Sequence, residues 1–132
     1  MISRNQDFMR ECRRQRALAL DRGESPTIDQ IVTRAASSPA PAYYVGYDRT
    51  LRLVSPIFHG RRPPRHDTTV DRRTAEIAAK CREEVESSHG RLTLPQALAR
   101  VIGGSPASNY FMSPSYARRL YYRIRRKPRS RN

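Results

Sequence analysis

The chain has 132 residues, of which 26 are Lys or Arg and 12 are Asp or Glu, and its formal net charge is +14. Only 37% of its residues are apolar and none is Trp, so we expect a thin core. No stretch approaches the roughly 18 uncharged apolar residues of a membrane span, and the N-terminus has no apolar signal-like segment. These features disfavour a membrane protein and predict a cytoplasmic one.

The first half of the sequence recurs in the second half. Residues 27–34, TIDQIVTR, reappear 66 positions later as residues 93–100, TLPQALAR. After one residue of slippage, residues 39–44 align with 106–111 and Arg52-Leu53 aligns with Arg119-Leu120. Such self-similarity predicts a duplicated structural unit. We expect a first tri-helical unit over residues 1–58, a basic Pro-rich connector over 59–68, a second unit over 69–127 and a basic tail over 128–132.

Helical periodicity predicts that each unit begins with two helices. The first helix is expected from Ser3 to Leu20, with Phe8, Cys12 and Ala19 buried and with its arginines, Arg10, Arg13, Arg14 and Arg16, facing outward. Thr27 and Gln30 form a capping box that opens the second helix, and Thr93 and Gln96 repeat it in the second copy. There the first helix is expected from Thr68 or Thr69 to about Ser87.

A proline-aromatic loop and a third helix complete each copy. In the second copy Ser113 is an N-cap, and an apolar stripe follows at helical spacing, made of Ala117, Leu120, Tyr121 and Ile124. The first copy has Thr50, Leu53, Val54 and Ile57 at these places, with Pro56 predicting an end near Val54. The predicted fold is all-α: a tandem duplication of a helix-turn-helix-like unit, with about six helices. The nine or ten residues between second and third helices exceed a tight helix-turn-helix connection.

Basic residues gather on the third helices, the connector and the C-terminal end. Arginine can pair bidentately with phosphate and with guanine, so this pattern predicts a nucleic-acid-binding surface. The predicted surface consists of Arg49, Arg52, Arg61, Arg62, Arg65, Arg118, Arg119, Tyr122, Arg123, Arg125, Arg126, Lys127, Arg129 and Arg131. A solvated helix face with a frayed terminus is the structural alternative.

Three functional hypotheses remain open at this point. The first is a non-catalytic protein that binds nucleic acid, with DNA favoured. The second is an RNA-binding accessory subunit of a ribonucleoprotein, such as a reverse-transcriptase accessory or a ribosome-associated factor, which stacking of Tyr47, Tyr116 or Tyr122 on unpaired bases would favour. The third is a small phage or mobile-element structural protein, in which a protein partner or a second copy completes the thin core.

No pattern of catalytic or metal-ligating residues is present. His59, His66 and His89 lie in predicted loops or helix ends without ligand spacing, and there is no Gly-rich phosphate loop or nucleophile elbow. Cys12 and Cys81 occupy matching places and are interpreted as small buried residues, with a disulfide or a reactive pair as the alternative. We expect no enzymatic activity, no cofactor and no metal.

The proline-aromatic segments, residues 39–45 and 106–114, each stand before a helix. With them the chain resembles a group of small basic uncharacterised proteins of gut bacteria and their mobile elements, over nearly its whole length. The sequence departs from that pattern at Gly46 and Tyr47, where the second copy has Ser113 and Pro114. The resemblance implies a duplicated helical architecture and a bacterial or phage-encoded protein, and it transfers no activity.

Overall fold

The structure is a computed structural model that describes residues 3–61 and 68–126. These residues form helices and no strand, which confirms the predicted all-α class. In chain order the helices are α1 (Arg4–Asp21), α2 (Ile28–Ala36), α3 (Tyr47–Phe58), α4 (Thr69–Ser87), α5 (Leu94–Gly104) and α6 (Pro114–Arg126).

Side-chain caps set where the helices begin. The predicted capping boxes are present, because the Thr27 hydroxyl accepts from Gln30 N–H and the Thr93 hydroxyl accepts from Gln96 N–H, with each glutamine bonding back to the cap. At α6, the Ser113 hydroxyl accepts from Tyr116 N–H at 3.1 Å. A cap of this kind typically contributes about 1 kcal/mol of helix stability. The N-caps predicted from the sequence at Thr27, Thr93 and Ser113 are therefore confirmed.

The prediction that the third helix ends near Val54 is wrong, because α3 continues through Pro56 to Phe58. Pro56 stands in the last turn, and its missing N–H removes one hydrogen bond, the one to the Arg52 carbonyl. The Pro56 carbonyl then accepts from Arg61 N–H at 2.9 Å, which satisfies one of the carbonyl groups at the helix end.

Contacts divide the chain into two compact units whose boundaries differ from those predicted. Of the described residues, the first unit comprises 3–40 and 108–126, and the second comprises 41–61 and 68–107. The first unit therefore holds α1, α2 and α6, while the second holds α3, α4 and α5. The third helix of each sequence copy lies with the first two helices of the other copy, an arrangement that we call the helix exchange.

The connections explain why contiguous copies are not required. Residues 37–46 join α2 to α3, and residues 105–113 join α5 to α6. A tight turn of three or four residues would force the third helix back onto the second. These longer segments, which contain Pro39, Pro41 and Pro106, impose no such constraint. The predicted boundaries at 1–58 and 69–127 assumed local folding and so separated helices that pack together.

In the first unit the core is built from the predicted apolar stripes. Phe8, Cys12 and Ala19 of α1 are buried, and Phe8 meets the ring of Tyr110 edge-on with centroids 5.7 Å apart. The other buried residues on the helices of this unit include Ile31, Val32 and Ala35 of α2, and Ala117, Leu120 and Tyr121 of α6.

The second unit has an equivalent core with one exception. Its buried residues include Thr50, Val54, Ile77, Cys81, Leu94, Ala97, Leu98 and Val101. Leu53, predicted to lie in the apolar stripe of α3, is 39% exposed. The matching residue of α6, Leu120, is fully buried. The two third helices therefore bury unequal amounts of apolar surface.

Each aromatic loop places one tyrosine in the core of a unit, and in both loops the next residue has a left-handed backbone conformation. Tyr43 and Tyr110 are 3% and 5% exposed. The residues that follow them, Tyr44 and Phe111, have φ values of 57° and 52°, in the left-handed region that bulky residues rarely adopt. Of the two adjacent tyrosines in the first loop, Tyr43 therefore fills the core and Tyr44 is only half-buried.

Candidate nucleic-acid interface

Helix α6 has an apolar face and a strongly basic face. Ala117, Leu120 and Tyr121 are buried in the first unit, where α6 packs against α2. Because successive residues are 100° apart around a helix, the arginines at 118, 119, 123 and 126 project away from that face. The helix contains five Arg and no Asp or Glu. These four arginines are exposed and form an outward basic face of α6.

An open depression of about 1140 Å³ follows the basic face of α6. We call it the α6 groove. The residues that line it are Asn5, Ser115, Tyr116, Arg118, Arg119, Leu120, Tyr122, Arg123, Ile124 and Arg126. The groove therefore presents four guanidinium groups and no carboxylate from the described residues.

The arginines of the α6 groove differ in whether they form ion pairs with other described residues. Arg118 Nε lies 3.3 Å from Asp29 Oδ1, and both side chains are about 60% exposed, so the pair is solvent-screened and weak. Arg119 and Arg123 have no ion pair or side-chain hydrogen bond within residues 3–61 and 68–126. Their donors remain available to an external anion.

The tyrosines near the groove are partly tied to the protein. Tyr116 accepts a hydrogen bond from Arg4 Nη2 at 2.6 Å, and the Arg4 guanidinium lies 5.3 Å from the centre of its ring. Tyr47, in the second unit, donates to the Pro95 carbonyl at 3.0 Å. Tyr122 is half-buried and meets Tyr121 edge-on. The Arg4 guanidinium therefore reduces the ring area that Tyr116 could offer to unpaired bases, whereas the Tyr47 side chain remains exposed.

The remaining residues of the predicted surface are dispersed. Arg125 donates to the Tyr121 hydroxyl at 3.3 Å, on the flank of α6. Arg49, Arg52 and Arg61 are exposed in the second unit. The other predicted residues lie outside the described part of the chain: Arg62, Arg65, Lys127, Arg129 and Arg131. The structure thus gathers Arg118, Arg119, Tyr122, Arg123 and Arg126 into one surface.

Residues of α1 that the sequence did not assign to the site lie beside it. A second depression, of about 410 Å³, is lined by Asn5, Gln6, Met9, Arg10, Arg13 and Ile124. We call it the α1 depression. The sequence indicated that Arg10 and Arg13 face outward. It could not place them next to α6, because that proximity depends on the helix exchange.

The grouping and burial of the histidines, cysteines and carboxylates among the described residues decide whether they could form a metal site or a reactive thiol. No group of three or more His, Cys, Asp or Glu among the described residues could hold a metal ion. Cys12 and Cys81 are unpaired and buried, and burial raises the pKa of Cys12 to about 12 and that of Cys81 to about 11. Burial, assisted by a hydrogen bond from its hydroxyl to Glu76 at 2.7 Å, also raises the pKa of Tyr43. The cysteines are therefore the small buried residues that the sequence predicted.

The chain was compared with protein families, curated proteins and solved structures. No family model, curated protein or solved structure matches it. Among the helices that the structure describes, none combines the length and apolar character needed to cross a membrane. The feature of the described residues that best indicates a function is the α6 groove, with its four arginines.

Proposed function

We propose that this protein binds nucleic acid without catalysing a reaction, and that it docks on duplex DNA through α6. The observation that supports this most strongly is the outward face of α6, where Arg119 and Arg123 are exposed and have no ion pair with any residue that the structure describes. The nearest carboxylate partner, Asp29, occupies only Arg118. A cationic helix face held on a packed core suits an extended polyanion.

Duplex DNA is the preferred partner because of the shape of this face. An α-helix with its side chains is about 10–12 Å across, which fits the roughly 12 Å width of the major groove. Arginine can bind both phosphate oxygens and guanine edges there. The engagement of Tyr116 with Arg4 argues for contact through guanidinium groups over stacking on unpaired bases. RNA binding as a ribonucleoprotein subunit is the alternative, and a preference for structured RNA over duplex DNA would support it.

Substitution of Arg119 and Arg123 tests the proposal. The double variant Arg119→Gln/Arg123→Gln should bind duplex DNA about tenfold or more weakly at low salt. The slope of log K against log salt should become shallower by roughly two, since each lost phosphate contact removes nearly one unit. Arg118→Gln should have a smaller effect because Asp29 already competes for that guanidinium. Fluorescence anisotropy with a labelled duplex across a salt series measures both quantities.

The matched control is Arg72→Gln/Arg91→Gln. Both residues are exposed in the second unit, and neither side chain has an ion pair within the described residues. This variant has the same net charge as the α6 variant, so a general charge effect would weaken both equally. Unchanged binding by the α6 variant, or equal losses in the two variants, would refute docking through α6.

A further inference from the structure

The α6 groove and the α1 depression are neighbours on the first unit. Asn5 and Ile124 line both of them, so the basic surface of α6 continues across these two residues to α1. No Asp or Glu among the described residues lines either depression. Arg10 and Arg13 therefore belong to the same cationic surface as Arg119 and Arg123.

The side chains of the α1 depression are arranged to receive an anion. The carboxylate of Asp7, only 5% exposed, accepts from Arg10 Nη1 at 3.2 Å, while the Arg10 side chain stays 65% exposed. This contact uses one of the five N–H donors of the guanidinium and holds that group at Nη1, leaving the other donors for a ligand. Arg13 is exposed and has no ion pair within the described part of the chain. The Asn5 amide can add an N–H donor at the junction.

We propose that Arg10 and Arg13 hold a phosphate backbone that borders the DNA groove entered by α6. The inference rests on the proposed function and assigns α1 a role in it. A helix inserted in the major groove is flanked by the two backbones of the duplex. Contacts from a neighbouring helix to one of these backbones fix the orientation of the inserted helix. A single strand offers only one backbone and would not need cations on both helices.

The test is the salt dependence of duplex binding by Arg10→Gln/Arg13→Gln. The expected result is a slope shallower by roughly two and an affinity about tenfold lower at low salt. The preference for duplex over a single strand of the same sequence should also fall. Arg16→Gln/Arg22→Gln is the matched control, since it removes the same charge from α1 and its C-terminal cap, and neither residue lines the α6 groove or the α1 depression. Like the test variant it removes one arginine with an ion pair, Arg22 with Glu24, and one exposed arginine, Arg16, that has none within the described residues.

A second variant guards against a folding defect, because Arg10→Gln removes the ion pair that Arg10 makes with the buried carboxylate of Asp7. Arg13→Gln keeps that pair and should reduce the slope by about one. If both α1 variants bind like the control while Arg119→Gln/Arg123→Gln is impaired, the α1 role is refuted and the proposed function stands. If the wild-type protein shows no salt-dependent binding to duplex, both fall.

Discussion

The two cysteines show how burial in the core changes the ionisation of a side chain. Cys12 and Cys81 are 2% and 0% exposed, one in each unit. Burial disfavours the thiolate, which raises the pKa of both thiols from 9.0, to about 12 for Cys12 and about 11 for Cys81. Each thiol is thus a small apolar residue of the core and is protected from thiol reagents.

These raised pKa values predict a loss of stability in alkaline solution. Above pH 9 the thiols of the unfolded chain ionise while the folded thiols stay protonated, so stability is full below pH 9 and declines toward about pH 11 to 12. At pH 10 each thiol should account for about 1 kcal/mol of the decline. Urea unfolding at pH 8 and pH 10 measures it, with Cys12→Ala as the comparison. An equal decline in that variant would show that Cys12 does not contribute.

Much at the residue scale could be predicted from the sequence, because burial and capping depend on local patterns. The stripe of Phe8, Cys12 and Ala19 and the caps at Thr27 and Thr93 follow from helical spacing and from the hydroxyl-to-N–H geometry of a helix start. The choice of Tyr43 over Tyr44 could not be predicted. It depends on a left-handed backbone at Tyr44, which no residue-type preference indicates.

At the scale of elements, α6 packs with α1 and α2, and α3 packs with α4 and α5. The existence of six helices follows from periodicity, but partner choice is decided by long-range packing. Both third helices follow loops long enough to reach either pair of first and second helices, so the sequence does not distinguish local folding from exchange. The position of Arg10 and Arg13 beside Ile124 was unpredictable for this reason.

Chemical cross-linking tests the helix exchange. Asp29 and Arg118 form an ion pair between α2 and α6, so a short bis-maleimide should join Asp29→Cys and Arg118→Cys within one monomer. The native thiols are buried and should not compete. Mass spectrometry of the digested monomer identifies the linked peptides.

A second pair of cysteines distinguishes packing of α6 on α2 from packing of α6 on α5. Efficient cross-linking of Pro95→Cys to Arg118→Cys, with none between positions 29 and 118, would mean that α6 packs on α5 of its own copy and would contradict the exchange. A cross-linked dimer between positions 29 and 118 would contradict exchange within a single chain and indicate exchange between two chains.

For the whole molecule, the positive charge is unequally shared. Within the described residues the first unit carries twelve Arg against five Asp and Glu, whereas the second carries nine Lys and Arg against six Asp and Glu. The first unit has by far the larger excess, and it contains both the α6 groove and the α1 depression. We therefore assign the proposed binding to this unit, with α3 of the second unit making at most a minor contribution.

The most direct test of this account is the binding of wild-type protein to three ligands of matched length, namely duplex DNA, single-stranded DNA and structured RNA, across a salt series. The account predicts that duplex DNA binds most tightly, that the preference survives near-physiological salt, and that log K falls steeply and linearly with log salt. Weak binding to all three ligands that vanishes at moderate salt would contradict it. A clear preference for structured RNA would replace the DNA-binding proposal with the ribonucleoprotein alternative.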